Sequence, residues 1–135
     1  MKTNAPLGEI TSACLPRHPA VAYLYLVDKK RNAVESDWKK FRAMLETWRE
    51  RYLAERNARI VGKLTDANKT ETERFWDALE IMEKEAKTLR RCLDGISRSK
   101  MRLRLIEMRA AGMLKPEDLA GFSQELQEQI FDEPY

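Results

Sequence analysis

Residues 70–111 read TETERFWDALEIMEKEAKTLRRCLDGISRSKMRLRLIEMRAA, and two patterns overlie one another in them. Phe75, Leu79, Met82, Ala86, Leu89, Leu93 and Ile96 recur at alternating spacings of four and three, the periodicity of a helix that packs a seam on another helix. Charge changes sign along the same stretch. Seven acidic and three basic residues lie between Asp66 and Ala86, against nine basic and two acidic between Lys87 and Lys115. Gly95 interrupts the helical pattern at a cost of about 1 kcal/mol relative to Ala. Beyond it Lys100 and Arg104 fall where the seam would continue, while Met101, Leu105 and Met108 begin a different apolar face. A packed seam does not accept two cations, so the helix is expected to kink or break near Gly95.

The partner arm lies upstream. No Gly or Pro occurs between Pro19 and Gly62, and Ala20, Leu24, Val27, Val34, Trp38, Phe41, Leu45, Trp48 and Tyr52 keep the same rhythm, with Arg31 at the one missing position. This predicts a long helix over 20–61, opened by Pro19, whose missing N–H is no loss in a first turn. The competing reading of Val21 to Val27 as a strand suits its β-branched and aromatic residues but leaves that strand without a partner. Gly62 is the expected C-terminal cap, and Thr65, Asp66 and Asn68 are turn formers. Thr70 followed by Glu73 makes a capping box before a second helix. Two antiparallel arms, 20–61 and 70–111, follow.

Downstream, Gly112 ends the run and Pro116 opens a helix over 116–131 that places Leu119, Phe122, Leu126 and Ile130 on one face, with Glu117 and Asp118 at its positive end. Residues 1–19, with Pro6, Gly8, Pro16 and Pro19, are expected to form an extended, mobile leader. The expected organisation is therefore all-α and bundle-like. A single helical domain spans 20–131, and 132–135 is a tail. A lone hairpin cannot bury the stripe Trp38, Phe41, Trp48 and Tyr52 from both sides, so pairing of two chains into a four-helix homodimer is a further expectation.

Composition supports the class. Of 135 residues 35% are charged and only five Gly and five Pro occur, which is the make-up of helices. Cys14 and Cys92 are too few for a disulfide framework, the N-terminus lacks a secretory apolar core, and the longest apolar run, Ala20 to Val27, is far short of the roughly 20 residues that span a bilayer. A cytoplasmic location is expected.

The residues present exclude most catalytic chemistries. The single histidine, His18, has no nearby base partner or second metal ligand, no Glu-x-x-His pair exists for a di-metal bundle, and Gly-rich phosphate loops and nucleophile elbows are absent. A non-enzyme without cofactor or metal is expected. What remains is the basic end. Lys84, Lys87, Arg91, Arg98, Arg102 and Arg109 share one side of the second arm if it is unbroken, and the hairpin would set Lys29, Lys30 and Arg31 beside its far end. These cations, with Met101, Leu105 and Met108 as an apolar interface, point to an adaptor, assembly factor or inhibitor that binds a partner protein. The alternative is a nucleic-acid-binding protein that uses the Lys/Arg stripe on phosphates. A competing use of the same face is internal: the acidic C-terminal segment folds back and covers Met101, Leu105 and Met108 with Leu119, Phe122, Leu126 and Ile130.

Overall fold

The computed structural model describes residues 18–132. The expectations for the leader up to residue 17, for Cys14 and for 133–135 lie outside the described residues. By its internal contacts the chain divides into two units, 1–36 and 37–135. Among the described residues all regular structure is helical, with no strand.

Helix α1 spans Pro19–Leu64, and the division between the units falls within it. His18 caps its start, Nδ1 accepting from the Ala20 N–H at 3.2 Å. Val21 to Val27 are helical, which settles the strand alternative. In the N-terminal unit this part of α1 keeps Val21, Tyr23, Leu24, Leu26 and Val34 exposed.

In the second unit α1 packs against α2, Glu71–Leu93, as a hairpin. Gly62 does not cap α1, which continues to Leu64. Instead the Thr65 hydroxyl donates to the Val61 carbonyl at 2.8 Å, and Asp66 accepts from the Asn68 N–H at 3.0 Å to form the turn. The capping box forms as expected: Thr70 Oγ1 accepts from the Glu73 N–H at 3.1 Å and Glu73 accepts from the Thr70 N–H at 2.9 Å. These bonds satisfy donors that a helix start otherwise leaves open.

The helix breaks where Gly95 stands. Leu93 ends α2, Gly95 takes φ of 67°, and after a 3₁₀ turn the chain resumes as α3, Met101–Ala110. Gly112, at φ of 81°, ends this section. An L side chain resists both angles.

The segment expected as one helix over 116–131 is split. A 3₁₀ turn, Pro116–Leu119, precedes a short α4, Gln124–Gln127, which passes into a π turn, Glu128–Asp132. The cause of the split is Ser123. Its Oγ caps α4 by accepting from the Leu126 N–H at 3.3 Å, and its own N–H and hydroxyl both donate to the buried carboxylate of Asp37, at 2.8 and 2.5 Å. A residue tied to α1 in this way starts a helix and cannot continue one. Asp37→Ala is expected to destabilise the protein by about 2–3 kcal/mol, because charge-assisted bonds to a buried acceptor are lost. The urea midpoint reads it, and Asp37→Asn, which keeps an acceptor for the Ser123 N–H, should cost less.

The core joins all four helices. Phe41, Trp48 and Tyr52 of α1, Cys92 of α2 and Met101, Leu105 and Met108 of α3 form one cluster with Met113, Leu114, Leu119, Phe122, Leu126 and Ile130. Trp48 is the hub, its ring 6.2 Å from both Phe41 and Phe122. The α2 seam is rotated from the sequence expectation. Leu89, Leu93 and Ile96 pack on the core, but Ala78 and Cys92 are the buried α2 residues, while Phe75 and Met82 are exposed. Glu85, seven residues on from Ala78, faces Tyr52 and Arg56 of α1.

Arg51 of α1 grips Asp118 with both terminal nitrogens, at 2.9 and 2.6 Å, and also donates to the Met113 carbonyl at 3.0 Å. The Arg51 guanidinium holds the Asp118 carboxyl below its usual range, with help from the Lys115 N–H. A depressed carboxylate contributes stability above its unfolded pKa of about 3.9, and that stability disappears as pH falls through the folded value. Asp118→Asn should therefore lower stability at pH 7 by about 1 kcal/mol, a modest figure because Arg51 is partly exposed. The gap to the native chain should close below about pH 4, as measured by denaturation from pH 7 to 3.

Candidate functional site

The break at Gly95 divides the expected cationic stripe. Lys87 and Arg91 are exposed on α2. Arg98, in the connecting 3₁₀ turn, lies over the Trp38 ring at 5.7 Å. Arg102 is exposed on α3, whereas Arg109 turns inward, donating to the Ile130 carbonyl at 2.8 Å and lying 5.7 Å from the Phe131 ring. Arg98 and Arg109 thus hold aromatic rings and the C-terminal segment. Lys29, Lys30 and Arg31 are exposed in the N-terminal unit, Arg31 3.5 Å from Asp28 one turn earlier.

Met101, Leu105 and Met108, expected as an apolar interface, are 5%, 0% and 0% exposed. The chain's own Leu119, Phe122, Leu126 and Ile130 lie in the same cluster, so these three side chains are internal. That is the arrangement in which the acidic C-terminal segment folds back over them.

Exposed apolar surface lies elsewhere. In the N-terminal unit Val21, Tyr23, Leu24 and Leu26 are between 48% and 67% exposed, and Tyr23, Leu26 and Val27 with Lys29 and Lys30 line an open recess of about 660 Å³. In the second unit Phe75 and Trp76 meet edge to face at 5.1 Å, both more than half exposed, with Met82 also outward. The sequence reading assigned Phe75 and Met82 to the seam, since the spacing of apolar residues alone does not say which of two adjacent lines is turned inward.

Asp37 has no signal in the sequence beyond the C-terminal segment's need for hydrogen-bonding partners, and Arg51, which hairpin geometry sets beside the acidic start of α2 with Arg49, Arg56 and Arg59, pairs instead with Asp118 of the C-terminal segment. Cys92 is fully buried, and burial pushes its thiol up, away from the reactive thiolate. Among the described residues no group of three or more His, Cys, Asp or Glu side chains is placed to hold a metal ion, and no helix is long and apolar enough to cross a membrane. No protein-family model matches the chain, and no curated protein or solved structure is detectably similar to it.

Proposed function

We propose that the chain is a non-enzymatic helical interaction protein, an adaptor, assembly factor or inhibitor, that docks a partner protein on the N-terminal part of α1. One observation carries this reading. Ala20 to Val27 are eight consecutive apolar residues in a helix, and at 100° per residue they surround it, yet four of them remain about half exposed or more. A helix apolar on all sides belongs in an enclosed setting. The cations Lys29, Lys30 and Arg31 follow directly, which suits an apolar groove with an acidic rim on the partner, the helix-in-groove mode. The partner surface is thus this stretch in place of Met101, Leu105 and Met108.

The test is site-specific photo-crosslinking from position 24 in the native host, compared with a Leu26→Glu variant. A discrete crosslinked protein that disappears with Leu26→Glu, at unchanged helicity, supports the reading. A pattern indifferent to the substitution overturns it. The outward Phe75, Trp76 and Met82 support self-association of the hairpins into a four-helix dimer as well, and a strictly monomeric mass by light scattering at high micromolar concentration removes that part.

A further inference from the structure

Between the two arms of the second unit lies an open recess of about 330 Å³, walled by Arg56 and Arg59 of α1 and by Lys84, Glu85 and Arg91 of α2, with the end of α3 closing one side. Its single carboxylate is already taken. Glu85 accepts from the Tyr52 hydroxyl and sits 3.1 Å from Arg56 Nε. Arg56 is fixed further by Glu55 at 2.6 Å and by the Tyr52 ring, 4.3 Å beneath its guanidinium. These contacts form a rigid, neutralised wall.

Arg59, Lys84 and Arg91 are different. All three are exposed, and among the described residues none has an ion-pair partner; the helical pairing of Glu80 with Lys84 that the spacing allows does not form. Several arginines of this unit are held by carboxylates, as in Arg51 with Asp118, Arg74 with Glu71 and Arg104 with Glu107. Here three uncompensated cations converge on one concave space. The α3 carbonyl end opposes an anion with only about half an elementary charge, too little to cancel them.

We propose that this recess binds a compact, multiply charged phosphate group, held by Arg59, Lys84 and Arg91 over the fixed Arg56–Glu85 pair. Its volume sits at the low end of ligand pockets, which run from roughly 300 to 1,000 Å³, and so favours a di- or triphosphate moiety over a bulky ligand. Guanidinium groups match phosphate oxygens in pairs, and a lysine adds a point charge. The site is independent of the protein interface on α1.

Calorimetric titration of the full chain with inorganic tripolyphosphate at fixed ionic strength tests it. One saturable site is expected, weakened by about tenfold or more in the Arg59→Gln/Arg91→Gln double variant. A charge-matched control, Lys39→Gln/Lys63→Gln, outside the recess, should change affinity less than about twofold. Circular dichroism confirms that each variant is folded. Absence of saturable binding overturns the proposal, as does equal weakening by the control, which would mean a diffuse field. A single-stranded oligonucleotide identifies the source of the phosphate. Displacement of tripolyphosphate by it, sensitive to the Arg59/Arg91 double variant, points to a nucleic-acid backbone; no displacement points to a free phosphate compound.

Discussion

Deletion of residues 116–135 is expected to abolish the cooperative unfolding transition of the helical hairpin. The removed segment carries Leu119, Phe122, Leu126 and Ile130, all buried. At about 1.5–3 kcal/mol for each large apolar side chain, their loss removes roughly 6–12 kcal/mol. Domains of this size have net stabilities of about 5–15 kcal/mol, so little or nothing remains. Polar losses act in the same direction, because Asp37 loses Ser123 and Arg51 loses Asp118. The truncated chain should retain helical signal from α1 but melt without a sharp midpoint and bind a hydrophobic dye. Native-like melting together with stronger polyanion binding would instead make the segment a detachable acidic tail. The burial argues against that: Trp48, Leu105 and Met108 are fully enclosed in the same cluster as Leu119, Phe122, Leu126 and Ile130.

The sequence was most readable where one local rule decides the outcome. The Thr70–Glu73 capping box, the left-handed stops at Gly95 and Gly112 and the burial of Trp38, Phe41, Trp48 and Tyr52 each follow from spacing or from a glycine. Reading failed where two faces of one helix are both apolar. On α2 the line Phe75, Leu79, Met82 and the line through Ala78 and Cys92 lie side by side, and which turns inward depends on α1, where Tyr52 and Arg56 claim Glu85. The continuous helix expected over 116–131 failed for a similar reason, since Ser123 answers to Asp37, 86 residues away. The candidate site was half legible. Spacing groups Lys87 and Arg91 with Arg98, Arg102 and Arg109 but says nothing of which arginines a fold spends on its own carbonyls and rings, and Arg98 and Arg109 are spent in that way.

The second large effect separates the aromatic residues that hold the fold from those that face outward. Trp48→Ala is expected to cost about 3–5 kcal/mol, because a fully buried ring is replaced by a cavity between Phe41 and Phe122. Trp48→Phe should cost far less, about 1–2 kcal/mol. The indole Nε1–H of Trp48 is buried and has no hydrogen-bond partner among the described residues, so phenylalanine gives up volume but no bond. A buried donor left unpaired already carries a penalty of about 1–3 kcal/mol, which the substitution removes and which offsets part of the lost packing. Trp76→Ala is the contrasting case. Its side chain is 60% exposed, so the monomer's stability should move by no more than about 0.5 kcal/mol. Equilibrium denaturation gives the stability of each variant, and light scattering over a concentration series gives its association. Trp48 variants should shift the first measurement and Trp76→Ala the second. If Trp76→Ala destabilised the dilute monomer as much as Trp48→Phe does, the outward face of α2 would be part of the fold and would have no role in association.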